Sequence, residues 1–107
     1  MAFNFSFTDA AKADLDDILS YISAELANPT AASSFFDSIE KTISQLVKFP
    51  QSGAIVENEF ITAENIRKVP VGNYMLYYTP DRIPSTIVII RIIYAKRSPE
   101  WISSQLI

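Results

Sequence analysis

The pattern of apolar and polar positions at the start of the chain predicts a strand followed by a helix. Phe3, Phe5 and Phe7 alternate with polar residues, as expected for a strand with one buried face. Thr8 is a suitable N-cap, and apolar residues recur after it at helical spacing to about Ala27. We therefore predict a short strand and an amphipathic helix.

A second apolar stripe predicts a second helix directly after the first. Asn28 can cap it, Pro29 suits the first helical position, and Pro50 ends it by disfavouring helical geometry in the residue before it. Each helix is about 19 residues long, or roughly 28 Å at ~1.5 Å per residue. Two helices of equal length with almost no linker favour an antiparallel hairpin.

We predict a loop at residues 51–65, and after it the apolar residues recur at every second position instead of at helical spacing. Residues 66–71 and 74–79 read as strands joined by Gly72-Asn73, where glycine can take the positive φ of a type II′ turn. Pro70 cannot donate a hydrogen bond, which predicts an edge or a bulge at that point. A β-hairpin is the expected structure.

The last third predicts one more strand and a terminal helix. A wide turn at residues 80–84 leads to residues 86–95, which are rich in β-branched side chains and typical of a central strand. Ser98 and Pro99 mark the start of a short helix that carries Trp101. The whole order is β-α-α-β-β-β with a final helix. We predict a single α+β domain over residues 1–107, with the helical hairpin packed on a mostly antiparallel sheet.

Composition excludes several kinds of chemistry. The chain has no cysteine and no histidine, so it offers no disulfide, thiolate nucleophile, imidazole base or His/Cys zinc site. Its two glycines are too few for a phosphate-binding loop, so we expect no cofactor. No run approaches the ~20 apolar residues that span a bilayer, and no secretory signal begins the chain. We expect a cytoplasmic protein without a membrane partner.

The net charge of −3 is unfavourable for general nucleic-acid binding. Acidic residues concentrate in the first half and basic residues in the second, so an anionic partner is expected to meet the second half. Arg67, Lys68, Arg91, Lys96 and Arg97 come from the strands and the end of the last strand. They form a partner site if they converge on one sheet face; ordinary surface charge is an equally good interpretation.

Two other groups have simpler explanations than a functional site. Asp14, Asp16 and Asp17 offer too few oxygens for a hard cation, and we interpret them as a solvated helix face. The tyrosine-rich run at residues 74–78 could stack nucleobases. A half-buried strand explains it better, so core or interface packing is our preferred interpretation.

Four segments in order resemble toxins of the RelE/ParE superfamily of bacterial type II toxin–antitoxin modules, on its ParE-like side. They are FTDAAKADLDDILSYI, NPTAASSFFDSIEKTISQLVKFPQSG, IRKVPVGNYMLYY and VIIRIIYAKRSPEW, and they cover residues 7–101. The resemblance implies the same architecture, a role of the plasmid-stabilisation kind, and a cognate antitoxin whose C-terminal segment folds over the toxin. We expect that segment to lie across the helical hairpin and the neighbouring sheet edge.

The superfamily contains ribosome-dependent messenger-RNA endonucleases and ParE-like inhibitors of DNA gyrase. The resemblance matches two cationic positions of the ribonuclease branch, Lys68 and Arg97, which are weak catalytic candidates. The first strand lysine of that branch falls on Ile66, the arginine after the hairpin tyrosine falls on Met75, and no tyrosine follows Tyr94. These departures favour the gyrase-directed branch, and we assign no catalytic residue beyond these two candidates.

Three functions therefore remain at this stage: a gyrase inhibitor, which we favour, a ribosome-dependent ribonuclease, and a non-toxic interaction protein that keeps the fold. Self-association into a homodimer stays open. We expect Arg67, Lys68 and Arg97 to serve partner binding rather than stability. The full set of partner-binding candidates is Arg67, Lys68, Tyr74, Arg91, Lys96, Arg97 and Trp101.

Overall fold

The computed structural model describes residues 4–58, 61–82 and 85–106, so the predictions made for Phe3 and Pro84 lie outside it. The elements are β1 (Asn4–Phe7), α1 (Asp9–Ser20), a π-helical turn (Tyr21–Glu25), α2 (Pro29–Lys48), β2 (Ala54–Asn58), β3 (Ile61–Val71), β4 (Tyr74–Arg82), β5 (Ser85–Tyr94) and α3 (Pro99–Leu106). Within the described residues, no helix is long and apolar enough to cross a membrane.

The predicted helix caps are present. The Thr8 hydroxyl accepts a hydrogen bond from the backbone N–H of Ala11 at 3.1 Å, and the Asn28 side chain accepts one from Ala31 at 3.0 Å. Phe49, the residue before Pro50, leaves the helical region with φ −129° and ψ 75°. Local capping chemistry thus sets the start of both helices and the end of the second.

The first helix differs from the prediction near its C-terminus. It is α-helical only to Ser20 and continues as one π-helical turn through Glu25. Ala27 then takes a φ of +48°, in the left-handed region that residues with a side chain rarely adopt. The chain therefore turns into α2 through two uncommon backbone conformations in succession.

The five strands form one sheet in the order β1-β5-β4-β3-β2. β1 runs parallel to β5, and the other three pairs are antiparallel, which confirms a mostly antiparallel sheet with β5 in its interior. The loop predicted at residues 51–65 is wrong, because it contains β2 and the beginning of β3. Pairing there shifts between Ile55 and Val56, and this irregularity disrupts the alternation that signals a strand.

The two prolines of the sheet lie where their strands have a neighbour on one side only. β2 pairs with β3 up to Lys68, so Pro70 lies past its end. The wide turn predicted at residues 80–84 begins too early: β4 continues to Arg82, and Pro80 lies past the last β3 partner of that strand. A missing N–H is tolerated at such positions. Gly72 has φ +59°, as the type II′ turn requires.

Helices cover both faces of the sheet. We call the side covered by α1 and α2 the hairpin face; its core includes Ile18, Ile39, Leu46, Leu76, Tyr78, Ile87 and Ile89. We call the other side the α3 face; its smaller core consists of Val56, Tyr77, Ile93 and Leu106, with Ile66, Met75, Ile90 and Ile102 packed against it. The terminal helix therefore occupies the side opposite the hairpin.

Candidate partner-binding surfaces

The basic candidates do not converge on one sheet face. Arg67 lies opposite Tyr78, whose ring packs in the core of the hairpin face, whereas Lys68 lies opposite Tyr77 on the α3 face. Successive side chains in a strand point to opposite faces, so these two neighbours are separated by the sheet itself. The single basic patch left open by the sequence is not formed.

Arg67 is engaged within the protein. Its guanidinium donates hydrogen bonds to the carbonyl oxygens of Gln51 at 3.1 Å and Gly53 at 2.8 Å. The buried hydroxyl of Tyr78 donates to the carbonyl of Pro50 at 2.8 Å and accepts from the N–H of Gly53 at 2.9 Å. Arg67 and Tyr78 thus hold the chain that links α2 to β2.

Gly53 is required in that link for steric reasons. A Cβ at this position would lie 2.6 Å from the Tyr78 hydroxyl oxygen and 2.9 Å from the carbonyl oxygen of Lys68. Burial raises the pKa of Tyr78, while the Gly53 N–H and Arg67 counteract part of that rise. The phenol is therefore a neutral structural group, and the arrangement around it serves packing.

Arg91 is also engaged, at the edge where β1 stops. Its guanidinium contacts the Asp14 carboxylate through two hydrogen bonds of 2.7 and 2.9 Å and donates a third, at 2.8 Å, to Gln105 of α3. The same carboxylate accepts the backbone N–H of Ile92 at 3.0 Å. β1 pairs with β5 only as far as Ile89. Asp14 therefore accepts the Ile92 hydrogen bond that the backbone of a longer β1 would otherwise accept.

This ion pair corrects the interpretation of the three aspartates. The Asp14 and Arg91 side chains are only 15% and 18% exposed, whereas Asp16 and Asp17 are exposed as predicted. The hydrogen bond that Arg91 donates to Asp14 raises the pKa of Arg91, which keeps the guanidinium charged. The pair connects α1 on one side of the sheet to α3 on the other.

Lys96 and Arg97 lie in the turn between β5 and α3 and are exposed, without an ion-pair partner among the described residues. The Arg97 guanidinium lies 4.8 Å from the centre of the Trp101 ring, which is a cation–π distance. Ser98 caps α3 by accepting the N–H of Trp101 at 3.2 Å, as predicted. These cations are thus available to a partner.

Arg97 and Trp101 belong to a groove of about 760 Å³ that we call the aromatic groove. One wall is the end of α1 and the π-helical turn, and the other is the turn between β5 and α3. Its residues include Asp17, Tyr21, Leu26, Tyr74, Tyr94, Arg97 and Trp101. Tyr74, predicted to bind a partner, forms part of the floor, and its ring packs edge-on against Phe35 and Tyr94.

The phenol groups of this groove lie close enough to interact. Burial raises the pKa of Tyr74, and the neighbouring Tyr21 and Tyr94 hydroxyls raise it further. All three side chains carry a hydroxyl, which can donate or accept hydrogen bonds, on a largely apolar surface.

A second groove, of about 740 Å³, lies between β1 and the two helices; we call it the β1 groove. It is lined by Phe5, Phe7, Leu15, Phe36, Ile39, Ile43 and Val47, with Lys12, Asp16, Glu40 and Lys48 around them. β1 is at one edge of the sheet, and Phe5 is 55% exposed. Sequence analysis predicted a partner in this region without identifying the groove.

Two positions that carry cations in the ribonuclease branch are occupied here by apolar packing residues. Ile66 and Met75 both pack against the core of the α3 face. Lys68 faces that same side, whereas Arg97 lies in the aromatic groove, beyond the end of β5. Among the described residues, no cluster of His, Cys, Asp or Glu could hold a metal ion.

Sequence reasoning missed Asp14, Tyr21 and Leu26 as residues of interest. Asp14 lies on the same helix face as Asp17, and only the end of β1 distinguishes their environments. Tyr21 and Leu26 end an apolar stripe that reads as continuous helix, so nothing in their spacing signals the π-helical turn. The only indication in the sequence that this region is unusual was Tyr21, an aromatic residue near the end of the first helix and shortly before the Asn28-Pro29 cap.

Comparisons with known proteins agree with the architecture. The family model for the ParE toxin of the type II toxin–antitoxin system parDE matches residues 5–99. The chromosomal ParDE system from P. aeruginosa has a similar structure, with a TM-score of 0.69 and 21% identity, covering 89% of this chain and 98% of that one. The RelBE2 toxin–antitoxin complex from Mycobacterium tuberculosis is similar with a TM-score of 0.57 and 21% identity, covering 88% and 99%. No curated protein matches this chain.

Proposed function

This chain belongs to the ParE toxin family of type II toxin–antitoxin systems, and from that premise we propose that it inhibits DNA gyrase and is neutralised by a cognate antitoxin. One observation favours this branch over the ribonucleases: Ile66 and Met75 are partly buried and pack against the apolar core of the α3 face. Phosphodiester cleavage needs a base, an acid and cations placed together around the phosphate. Cations at these two positions would have to replace partly buried apolar side chains that pack against this core.

Lys68 and Arg97 match cationic positions of the ribonuclease branch, but they lie on different parts of the molecule, which also supports the proposal. Lys68 lies on the α3 face, in register with Tyr77, and Arg97 lies in the aromatic groove. Removing one preorganised electrostatic group costs ~10²–10³ in rate. A site that lacks several such groups is a poor nuclease. The proposal places the protein in the cytoplasm, where gyrase acts.

Two assays on the purified chain test this proposal. We expect inhibition of DNA supercoiling by gyrase, and no codon-positioned cuts by primer extension in a translating extract. Cuts that disappear in a Lys68→Ala, Arg97→Ala double variant would assign the protein to the ribonuclease branch. If the protein shows neither activity but still binds an antitoxin, it is a non-toxic interaction protein.

We place the antitoxin in the β1 groove. An antitoxin segment can extend the sheet at the free edge of β1 and pack apolar side chains against Phe5 and Phe36. The charges around the groove, among them Lys12, Asp16, Glu40 and Lys48, provide both signs at its margin. The apolar groove and the unpaired edge of β1 together suit an antitoxin segment that folds as it binds and buries a large apolar surface.

Calorimetry with the product of the neighbouring gene tests this placement. Coupled folding and burial predict a strongly negative heat-capacity change. Phe5→Glu should weaken binding by at least about tenfold, because a charge would replace a buried aromatic contact. Phe49→Glu is the matched control, since Phe49 is at least as exposed and is not among the groove residues. Equal effects of the two substitutions would reject the β1 groove as the antitoxin site.

A further inference from the structure

The aromatic groove exposes more apolar surface than packing of this chain explains. Tyr21 is 51% exposed, Leu26 56%, Tyr94 42% and Trp101 36%, and all four line the same groove. A contiguous apolar patch on a small protein usually marks an interaction site. Tyrosine, tryptophan and arginine, which meet here, are also the residue types that dominate binding energy at protein interfaces.

The backbone on the helical wall of this groove is unusual. Tyr21 begins the π-helical turn, and Leu26 lies between that turn and Ala27, whose φ is +48°. Single π-helical turns occur frequently at functional sites, and a non-glycine residue in the left-handed region costs on the order of 1–2 kcal/mol. The segment that presents Tyr21 and Leu26 is therefore held in a conformation that local propensity does not favour.

The two walls carry opposite charge. Asp17 lines the wall formed by α1 and the π-helical turn, Arg97 lines the opposite wall, and both are exposed. Glu25 and Lys96 are exposed in the same two segments but are not among the groove residues. Asp14 and Arg91, between them, neutralise each other. Glu100, in the first turn of α3, is not among the groove residues. The groove is acidic on one side and basic on the other.

We propose that the aromatic groove is the interface of an isologous dimer of this chain. A two-fold axis that runs along the groove places the acidic wall of each copy over the basic wall of the other. Asp17 of one copy then faces Arg97 of the second copy, and the same contact occurs twice. Tyr21, Leu26, Tyr94 and Trp101 form the apolar centre of the interface.

Charge is what favours a second copy over other occupants. A ligand of one sign would be attracted to one wall and repelled by the other, because like charges brought together across an interface cost several kcal/mol. A second copy necessarily presents both signs in the complementary order. The β1 groove, on a different set of residues, stays accessible, so the dimer is compatible with an antitoxin bound there.

Sedimentation equilibrium of the full-length chain between about 1 and 200 µM tests the dimer, since that range brackets micromolar dissociation constants. We expect a reversible monomer–dimer equilibrium. Asp17→Arg and Arg97→Asp should each raise the dissociation constant at least about tenfold by creating like-charge contacts. The double variant, Asp17→Arg with Arg97→Asp, should restore it to within about threefold of the original value, since the pair is reconstituted in reverse.

Asp16→Arg is the matched control, because Asp16 is exposed on the same helix but lines the β1 groove. It should leave the dissociation constant unchanged. A monomer at the highest concentration, an equal effect of Asp16→Arg, or failure of the double variant to recover would each overturn the proposal. Circular dichroism and the Tm of every variant show whether the fold is intact, and a variant that unfolds is replaced by the milder Asp17→Asn or Arg97→Gln, for which a weaker dimer is expected.

Discussion

The two faces of the sheet are built from similar strand residues but are covered very differently. On the hairpin face, α1 and α2 contribute 12 and 20 residues and enclose the larger core. On the α3 face, one helix of eight residues covers a core with four buried members. Tyr77 and Tyr78 are neighbours, both are buried, and they belong to different cores.

This difference indicates how the parts of the molecule depend on each other. An isolated helix shorter than about 12–15 residues is marginal in water, so α3 depends on tertiary contacts. Those contacts are its packing on the sheet and the hydrogen bond from Arg91 to Gln105. We infer that the hairpin face supplies most of the stability, whereas the α3 face is the part that opens first. The following substitutions test that comparison.

Truncation of a core side chain on each face should give the largest difference. Leu76 is fully buried on the hairpin face, so Leu76→Ala should reduce the free energy of unfolding by about 2–5 kcal/mol. Leu106→Ala, near the end of α3, should lie at or below the lower end of that range, because Leu106 is less completely buried and belongs to the smaller core. Urea denaturation measures both. Equal losses would contradict the difference between the faces.

Removal of the carboxylate that connects the two sides should have the next largest effect. Asp14→Ala leaves the Arg91 guanidinium and the Ile92 N–H without their partner and should cost about 1.5–3 kcal/mol, the usual range for hydrogen bonds to charged groups. Amide hydrogen exchange should accelerate throughout α3. Asp16→Ala, two residues further along α1 and exposed, is the control and should change neither quantity.

Arg67 and Lys68 are adjacent in the chain but should contribute differently to stability. Arg67→Ala removes two hydrogen bonds to the chain after α2 and should cost about 1 kcal/mol. Lys68→Ala should change stability by less than about 0.5 kcal/mol. This revises the sequence-based expectation for Arg67, which is a structural residue as well as a partner candidate. Thermal unfolding of the two variants measures the difference, and identical Tm values would reject it.

The last prediction concerns the loss of stability at alkaline pH. Burial raises the pKa of both Tyr77 and Tyr78 above 10.0, so the unfolded state loses these protons first as the pH rises. Stability should be independent of these groups below pH 10 and fall above it. Tyr77→Phe and Tyr78→Phe should each remove under about 1 kcal/mol of that decline at pH 10.5. Denaturation curves at pH 8 and 10.5 test this, and an unchanged pH dependence in both variants would contradict it.

Much of the fold was predictable because its signals are local. The caps Thr8 and Asn28, the turn at Gly72 and the helix start at Ser98 each act within a few residues. β2 and the start of β3 were missed because their pairing jumps from Ile55–Arg67 to Val56–Ala63. Residues 64–66 of β3 therefore have no partner in β2, and a strand pair with such an irregularity does not show a clean alternation. The π-helical turn after Ser20 was missed because an apolar stripe does not distinguish it from an α-helix.

The sequence by itself determined the α+β architecture, the helical hairpin and the resemblance to the ParE family, because periodicity and capping are properties of neighbouring residues. Only the tertiary structure decided what each charged residue does. Asp14 pairs with Arg91 because β1 ends before β5 does, and Arg67 separates from Lys68 because a strand alternates its faces. Asp14 and Arg91 are 77 positions apart in the chain, and no local pattern specifies such a contact.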